Sequence, residues 1–164
     1  MAVEIPGQFN IAEYFIERPA REHPQRVAIL GEPAALTYGE LAALVHRAAA
    51  ALRASGCGPG DRDLIVLPDS AEFIAAFFGA AKIGAVAVPV NSSTRSPDYA
   101  YYLADSGPRF AIVHASSLPE FLPAMLGHRP EGFIVVGHHD EASRISGARN
   151  WSDWLAPAYA VADS

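Results

Sequence analysis

Residues Gly60 to Asn91 read GDRDLIVLPDSAEFIAAFFGAAKIGAVAVPVN, and the fold turns on whether this is one apolar rod or two elements. Phe73 to Val90 is a run of 18 residues with a single charge, Lys82, close to the lower limit for crossing a bilayer. Its two halves follow different rules. Asp69 stands as a helix cap with Glu72 three places on, and Phe73, Ile74, Phe77, Phe78 and Ala81 recur at helical spacing. Gly84 is a natural stop for that helix. Ala85 to Val88 is then a short aliphatic run of strand type, as is Leu64 to Leu67 in front. Gly79, Gly84 and Pro89 punctuate the stretch and argue against a membrane span. It reads as a deeply buried helix feeding a buried strand.

The same grammar extends outward. Val27–Leu30, Phe110–Val113 and Phe133–Val136 are further strands, continuously apolar rather than alternating, which implies a sheet covered on both faces. Helix starts are signalled by a short polar cap and a Glu three residues later at Asn10 and Glu13, Thr37 and Glu40, and Ser117 and Glu120. After Thr37, Leu41, Val45, Ala48, Ala49 and Leu52 form one face, while Glu40, Arg47 and Arg53 can meet water. A fifth helix takes Ser96 as cap and Pro97 at its first position, and ends at Gly107 and Pro108. The pattern predicts an α/β fold, a mainly parallel sheet with helices on both faces. One unit is expected over residues 1–155. No strong helix or strand pattern closes the chain, and the Ala-rich stretch 156–164 is expected to be a linker-like tail.

The chain has 164 residues, 51% hydrophobic and 18% charged, with a formal net charge of −6. At this length folding buries roughly 70% of the surface exposed by the unfolded chain, enough for a core without disulfides or metals. Arginines are scattered through an acidic chain, so no concentrated basic face is available for nucleic acid. Cys57 is the single cysteine, which excludes an internal disulfide or a thiolate cluster and fits a reducing compartment. The opening MAVEIPGQFN has neither a basic leader nor an apolar signal segment. A cytoplasmic location is expected.

Signals for chemistry are sparse. The one Gly-rich loop, Gly56-Cys57-Gly58-Pro59-Gly60, departs from the dinucleotide fingerprint because Asp61 follows the third glycine directly, and no Lys-Ser or Lys-Thr follows as in a P-loop. Pro59 removes an amide donor as well, so the loop reads as a turn between helix and strand. Cys57 has only Arg62 nearby to lower its thiol pKa, which argues against a nucleophile. His138, His139 and Asp140 form the one ligand-like cluster, but adjacent side chains seldom point at one ion, and no metal is expected. His114, just past a strand at the edge where α/β proteins place their sites, is a candidate by position alone. Lys82, the sole lysine, is expected to snorkel to water at the helix C-terminus. Ser and Asp are too common here for a triad to be inferred, and no catalytic residue is assigned.

Three phrases carry more than any site: FNIAEYFIER (Phe9 to Arg18), LTYGEL (Leu36 to Leu41) and the Gly60 to Asn91 stretch. In order and spacing they resemble the N-terminal portion of the adenylate-forming (AMP-binding) enzymes. VPVN followed by DYAYYLADS (Asp98 to Ser106) resembles benzoate–CoA and related aryl-CoA ligases most. The resemblance runs from about Phe9 to Val136. It implies a parent reaction in two steps: a carboxylate attacks the ATP α-phosphate, with magnesium neutralising charge, and a CoA thiol then displaces AMP from the acyl-adenylate. In the family a Ser/Thr/Gly-rich phosphate loop, a magnesium-binding acidic residue, a ribose-binding aspartate and a lysine on a C-terminal domain do this chemistry, and none of those motifs occurs here. The resemblance therefore implies a scaffold portion, inactive alone, binding no ATP, magnesium or CoA by itself and partnered by the rest of a ligase chain and a small carboxylic acid. Its one suggested contact is Arg95 with a CoA phosphate. A solvated arginine beside the Ser96 cap is the plainer reading. Two other classes stay open: a truncated, non-catalytic binding or assembly module, and a stand-alone nucleotide-binding domain with a site near His114. If the sheet packs on segments outside the chain, exposed apolar surface and self-association are expected.

Overall fold

The computed structural model describes residues 6–31, 35–137 and 144–158. The strand–helix–strand reading holds. β3 (Arg62–Val66) leads to α3 (Ala71–Lys82), which returns through Gly84, at φ +80°, to β4 (Val86–Pro89). β3 and β4 are parallel, with Leu64 opposite Val88. α4 (Ser96–Ser106) crosses back to β5 (Phe110–His114), which pairs with the other side of β3. α5 (Leu118–Ala124) leads to β6 (Gly132–Val136), and with β7 (Ala148–Asn150) the sheet order is β4-β3-β5-β6-β7, all pairs parallel. Among the described residues no helix is long and apolar enough to cross a membrane.

Alternation along the strands sends side chains to two separate cores. Ile65, Ile112 and Ile134 face α2 (Tyr38–Ala54) and α3, while Leu64, Val66, Ala111, Val113, Phe133 and Val135 face α4 and α5. Helices on both faces explain why the strands read as unbroken apolar runs. α2 and α3 cross tightly at Gly79, where an added Cβ would lie 3.0 Å from Ala48 Cβ and 3.1 Å from the Ala49 nitrogen.

Several local expectations change. Val27–Leu30 forms a strand, β1 (Val27–Ile29), but it pairs antiparallel with β2 (Leu36–Thr37) in a separate two-stranded sheet. The chain also closes with regular structure: β7 (Ala148–Asn150) extends the parallel sheet, and α6 (Trp151–Leu155) buries Trp151, Trp154 and Leu155 on the α2 face. The expected tail begins as a short 3-10 turn, Ala156–Ala158, and its remainder lies outside the described residues.

The caps divide three ways. Thr37 and Glu40 form the full reciprocal box. Asn10 accepts from the amides of Ala12 and Glu13, while Glu13 turns to Arg21 instead of the backbone. α3 is capped by Ser70, not Asp69: the Ser70 hydroxyl accepts from the Phe73 amide at 3.1 Å. α4 has Arg95 at its N-cap and Ser96 as its first residue. Ser117 caps nothing, and its hydroxyl instead donates to the Ser92 carbonyl at 2.7 Å.

Candidate functional site

The crossover from β4 back past β3 to β5 makes the gap between β3 and β5 a topological switch point, where open α/β sheets leave a crevice at the strands' carboxyl ends. The structure has one there, of about 320 Å³, lined by Pro68, Ser70 and Glu72 after β3, His114 at the end of β5, Val136 and Gly137 at the end of β6, and Asn150, Trp151 and Ser152 at the end of β7. A second, of about 440 Å³, shares Pro68 and runs along Leu67, Asp69 and Phe73 to Pro89, Val90, Asn91 and Ser92.

His114 therefore sits on the crevice wall, as its position in the sequence suggests. Its ring is spoken for on one side, since Nδ1 accepts from the Ser116 amide at 3.2 Å and lies 2.8 Å from the Ser116 hydroxyl. With that lone pair engaged, a neutral ring carries its proton on Nε2. Opposite, Asn150 Oδ1 accepts from the Ser152 amide and hydroxyl at 3.0 and 2.6 Å, capping α6. Sequence reading missed Asn150, Trp151 and Ser152 because their strand and helix are short; the Asn–x–Ser cap was the available signal.

The loop 91–96 is pinned at its base. Tyr99 donates to the Asn91 carbonyl at 3.2 Å, and Thr94 donates to Asp98 at 2.7 Å. Glu120 binds the Ser96 amide at 2.9 Å and Arg95 at 3.0 Å. The Ser96 amide, then Arg95, hold the Glu120 carboxyl below its ordinary range. The Arg95 side chain remains 80% exposed, a largely solvated arginine three residues beyond Ser92 of the second crevice.

Other candidates are absorbed by structure. The Gly56–Gly60 loop lies at the amino end of β3, away from both crevices, and its amides are committed: Cys57 to the Leu52 carbonyl, Gly58 to Asp61 at 2.8 Å, and Gly60 to the Gly84 carbonyl. Burial, reinforced by Asp63, pushes the Cys57 thiol up to about 12, the opposite of what a nucleophile needs. Lys82 does not reach for water: it pairs with Glu17, which also lies 3.4 Å from His46. His138, His139 and Asp140 lie outside the described residues. Among the described residues no group of three or more His, Cys, Asp or Glu could hold a metal ion.

These features define a class: a doubly wound, parallel α/β unit with a lined carboxyl edge. The comparisons then place it. The chain belongs to the family of AMP-binding enzymes, whose profile matches residues 16–160. It is 36% identical over 146 residues to the benzoate–CoA ligase of Thauera aromatica, covering 87% of this chain and 28% of that protein. It is 37% identical over 115 residues to a long-chain-fatty-acid–CoA ligase of Mycobacterium tuberculosis, covering 69% of this chain and 23% of that protein. The anthranilate CoA ligase AuaEII, solved with anthranoyl-AMP, superposes with a TM-score of 0.86 at 27% identity, over 93% of this chain and 29% of that one. The fold is that of the N-terminal part of adenylate-forming CoA ligases, and the chain spans about a quarter of the length of the curated relatives it matches.

Proposed function

We propose that this chain is the N-terminal scaffold of an ATP-dependent carboxylate–CoA ligase, an acid–thiol ligase that forms an acyl-adenylate and then a thioester, and that it is inactive alone. One observation carries the reading: 93% of the chain superposes on a CoA ligase with a TM-score of 0.86, and covers 29% of that protein. ATP, magnesium and CoA are then ligands of the complete enzyme, and no step of the chemistry is assigned to a residue of this chain. Its partners are the remaining ligase polypeptide and a small carboxylic acid, with aryl acids such as benzoate favoured by the relatives and a cytoplasmic setting favoured by the buried reduced cysteine. Residues 1–155 act as one α/β unit, with residues 156–164 leading onward. Arg95 keeps guanidinium N–H groups beyond the one given to Glu120, and we assign it a CoA phosphate contact.

Grafting tests this directly. The chain would replace the aligned segment of the Thauera aromatica benzoate–CoA ligase, with pyrophosphate release and thioester formation as readouts. Acid-dependent turnover by the chimera, alongside none by the purified 164-residue chain, is the expected result. Turnover by the chain alone, or saturable micromolar binding of ATP with magnesium to it, would overturn the reading. In the chimera, Arg95→Ala should raise the KM for CoA about tenfold with kcat unchanged, the loss of about 1.4 kcal/mol of binding shared by ground and transition states.

A further inference from the structure

Asp63 is a carboxyl placed where its charge is least welcome. It lies on β3 opposite Ala87 and Phe110, fully buried, on the same strand face as Ile65. Among the described residues its side chain bonds one group, the Cys57 thiol, which is 3.5 and 3.6 Å from the two carboxyl oxygens. A thiol is a weak donor and offsets little of the cost of stripping water from a carboxylate. The charged groups facing it come from two other segments. Asp61, at the entry to β3, repels a second negative charge, and Arg109, at the entry to β5, is engaged by Asp61 and Glu131 at 3.0 Å each. The neighbouring faces of α2 and α3 are apolar. Burial pushes the Asp63 carboxyl up to about 7 against the pull of the Cys57 hydrogen bond; Asp61 adds to the rise and Arg109 opposes it.

What covers this pair is thin. Cys57 is the one buried residue of the Gly56–Gly60 loop, whose Gly56, Pro59 and Gly60 all face solvent. Gly56 and Gly60 take φ of +91° and +83°, and the loop's ties to the body are the amides of Gly56, Cys57 and Gly60, which donate to the carbonyls of Arg53, Leu52 and Gly84, while Gly58 and Asp61 bond each other. Opening it breaks those three bonds to Arg53, Leu52 and Gly84 and leaves β3 paired on both sides.

We propose that Asp63 and Cys57 form a proton-operated latch: the protonated carboxyl holds the loop shut over the thiol, and losing that proton to water loosens the loop and uncovers Cys57. The sign follows from linkage. In the closed form the carboxyl titrates near 7, and in the hydrated open form near its ordinary value of 3.8. Below about pH 4 both forms hold the proton and closure is fully supported. Between about 4 and 7 only the closed form holds it, so each pH unit favours opening about tenfold, on the order of a thousandfold in all. Above 7 both forms are ionised and the equilibrium is flat.

The test is the rate at which a pyridyl disulfide reagent modifies Cys57, divided at each pH by its rate with free cysteine. In the native chain this ratio should climb about tenfold per unit in the acid range and level off near 7. Asp63→Asn should hold it constant. A flat native profile, or an equal slope in the variant, would overturn the latch. Hydrogen exchange on the native chain gives an independent check should the variant not fold. Between pH 5 and 7 the normalised protection of Cys57, Gly58 and Gly60 should fall while that of Ala111 and Ile112 on β5 holds. Equal losses in loop and strand would mean global unfolding and would also sink the proposal.

Discussion

A helix start exposes backbone donors that need an acceptor within the first turn, so the identity of the capping oxygen is a matter of about 1 kcal/mol. In α3 two neighbours compete for that role. Asp69 and Ser70 are both good caps by type, but Ser70 is the residue with extended backbone, φ −155° and ψ 168°, whose oxygen reaches the Phe73 amide. Ser70→Ala should therefore cost about 1 kcal/mol in urea unfolding, and Asp69→Ala should stay within about 0.5 kcal/mol. Equal losses would mean that Asp69 shares the cap. Thr37→Ala should cost at least as much as Ser70→Ala, because it removes two side-chain bonds, the one accepted from the Glu40 amide and the one donated to the Glu40 carboxylate, and leaves only the Thr37 amide on that carboxylate. The sequence narrows each cap to one or two residues and stops there. The choice between adjacent side chains is made by the backbone entering the helix, and that path depends on where β3 ends.

Two contacts between elements set how the helices sit. At Gly79 a methyl group would meet Ala48 Cβ at 3.0 Å and a backbone nitrogen at 3.1 Å, neither of which can swing away. Alanine gains about 1 kcal/mol over glycine in a helix interior, but overpacking a tight crossing costs about 1–3 kcal/mol. Gly79→Ala should lose stability by about 1 kcal/mol in urea unfolding; a stabilised variant would show that the helices can move apart. The second contact is Glu17 with Lys82, which ties the N-terminal segment to the end of α3. Burial opposes the charge on Glu17, yet the bond and charge of Lys82 win and hold the carboxyl down at about 2. Its unfolded value is near 4.5, so its contribution is present above 4.5 and is lost as pH falls towards 2. Lys82→Met should remove about 1.5–3 kcal/mol at neutral pH and flatten the acid limb of stability between 4.5 and 2, read by urea midpoints at each pH. The βαβ pattern announces α3 and both its strands in advance, because eighteen residues with a single charge, broken by Gly and Pro, admit few alternatives. β7 and α6 are silent for the opposite reason: three residues without a β-branched side chain and a helix of five carry no periodicity, and they hold position through Trp151, Trp154 and their pairing with β6.

At the scale of the molecule, the parallel sheet ends on strands with one neighbour each, β4 and β7, among the described residues. Unpaired edges invite a further strand, and their usual protections are charge, proline or brevity. β7 is three residues long. β4 has Pro89 at its far end, but Val86 at its start is 48% exposed, and nothing charged stands on the strand. Leu126, 91% exposed after α5, and the exposed rings of Phe15 and Tyr101 add apolar surface elsewhere. The isolated 164-residue chain is therefore expected to self-associate with rising concentration in sedimentation velocity, despite a net charge of −6 that opposes contact. If the β4 edge is the route, Val86→Lys should shift the association midpoint to about tenfold higher concentration, since an edge lysine must lose hydration when strands pair, and about 1.4 kcal/mol is tenfold. The fold should tolerate the change because Val86 lies outside both sheet cores. Association that persists unchanged in Val86→Lys but falls in Leu126→Lys would place the contact beyond α5. A native chain that stays monomeric throughout would show that β4 and β7 are protected well enough by their shortness and by Pro89.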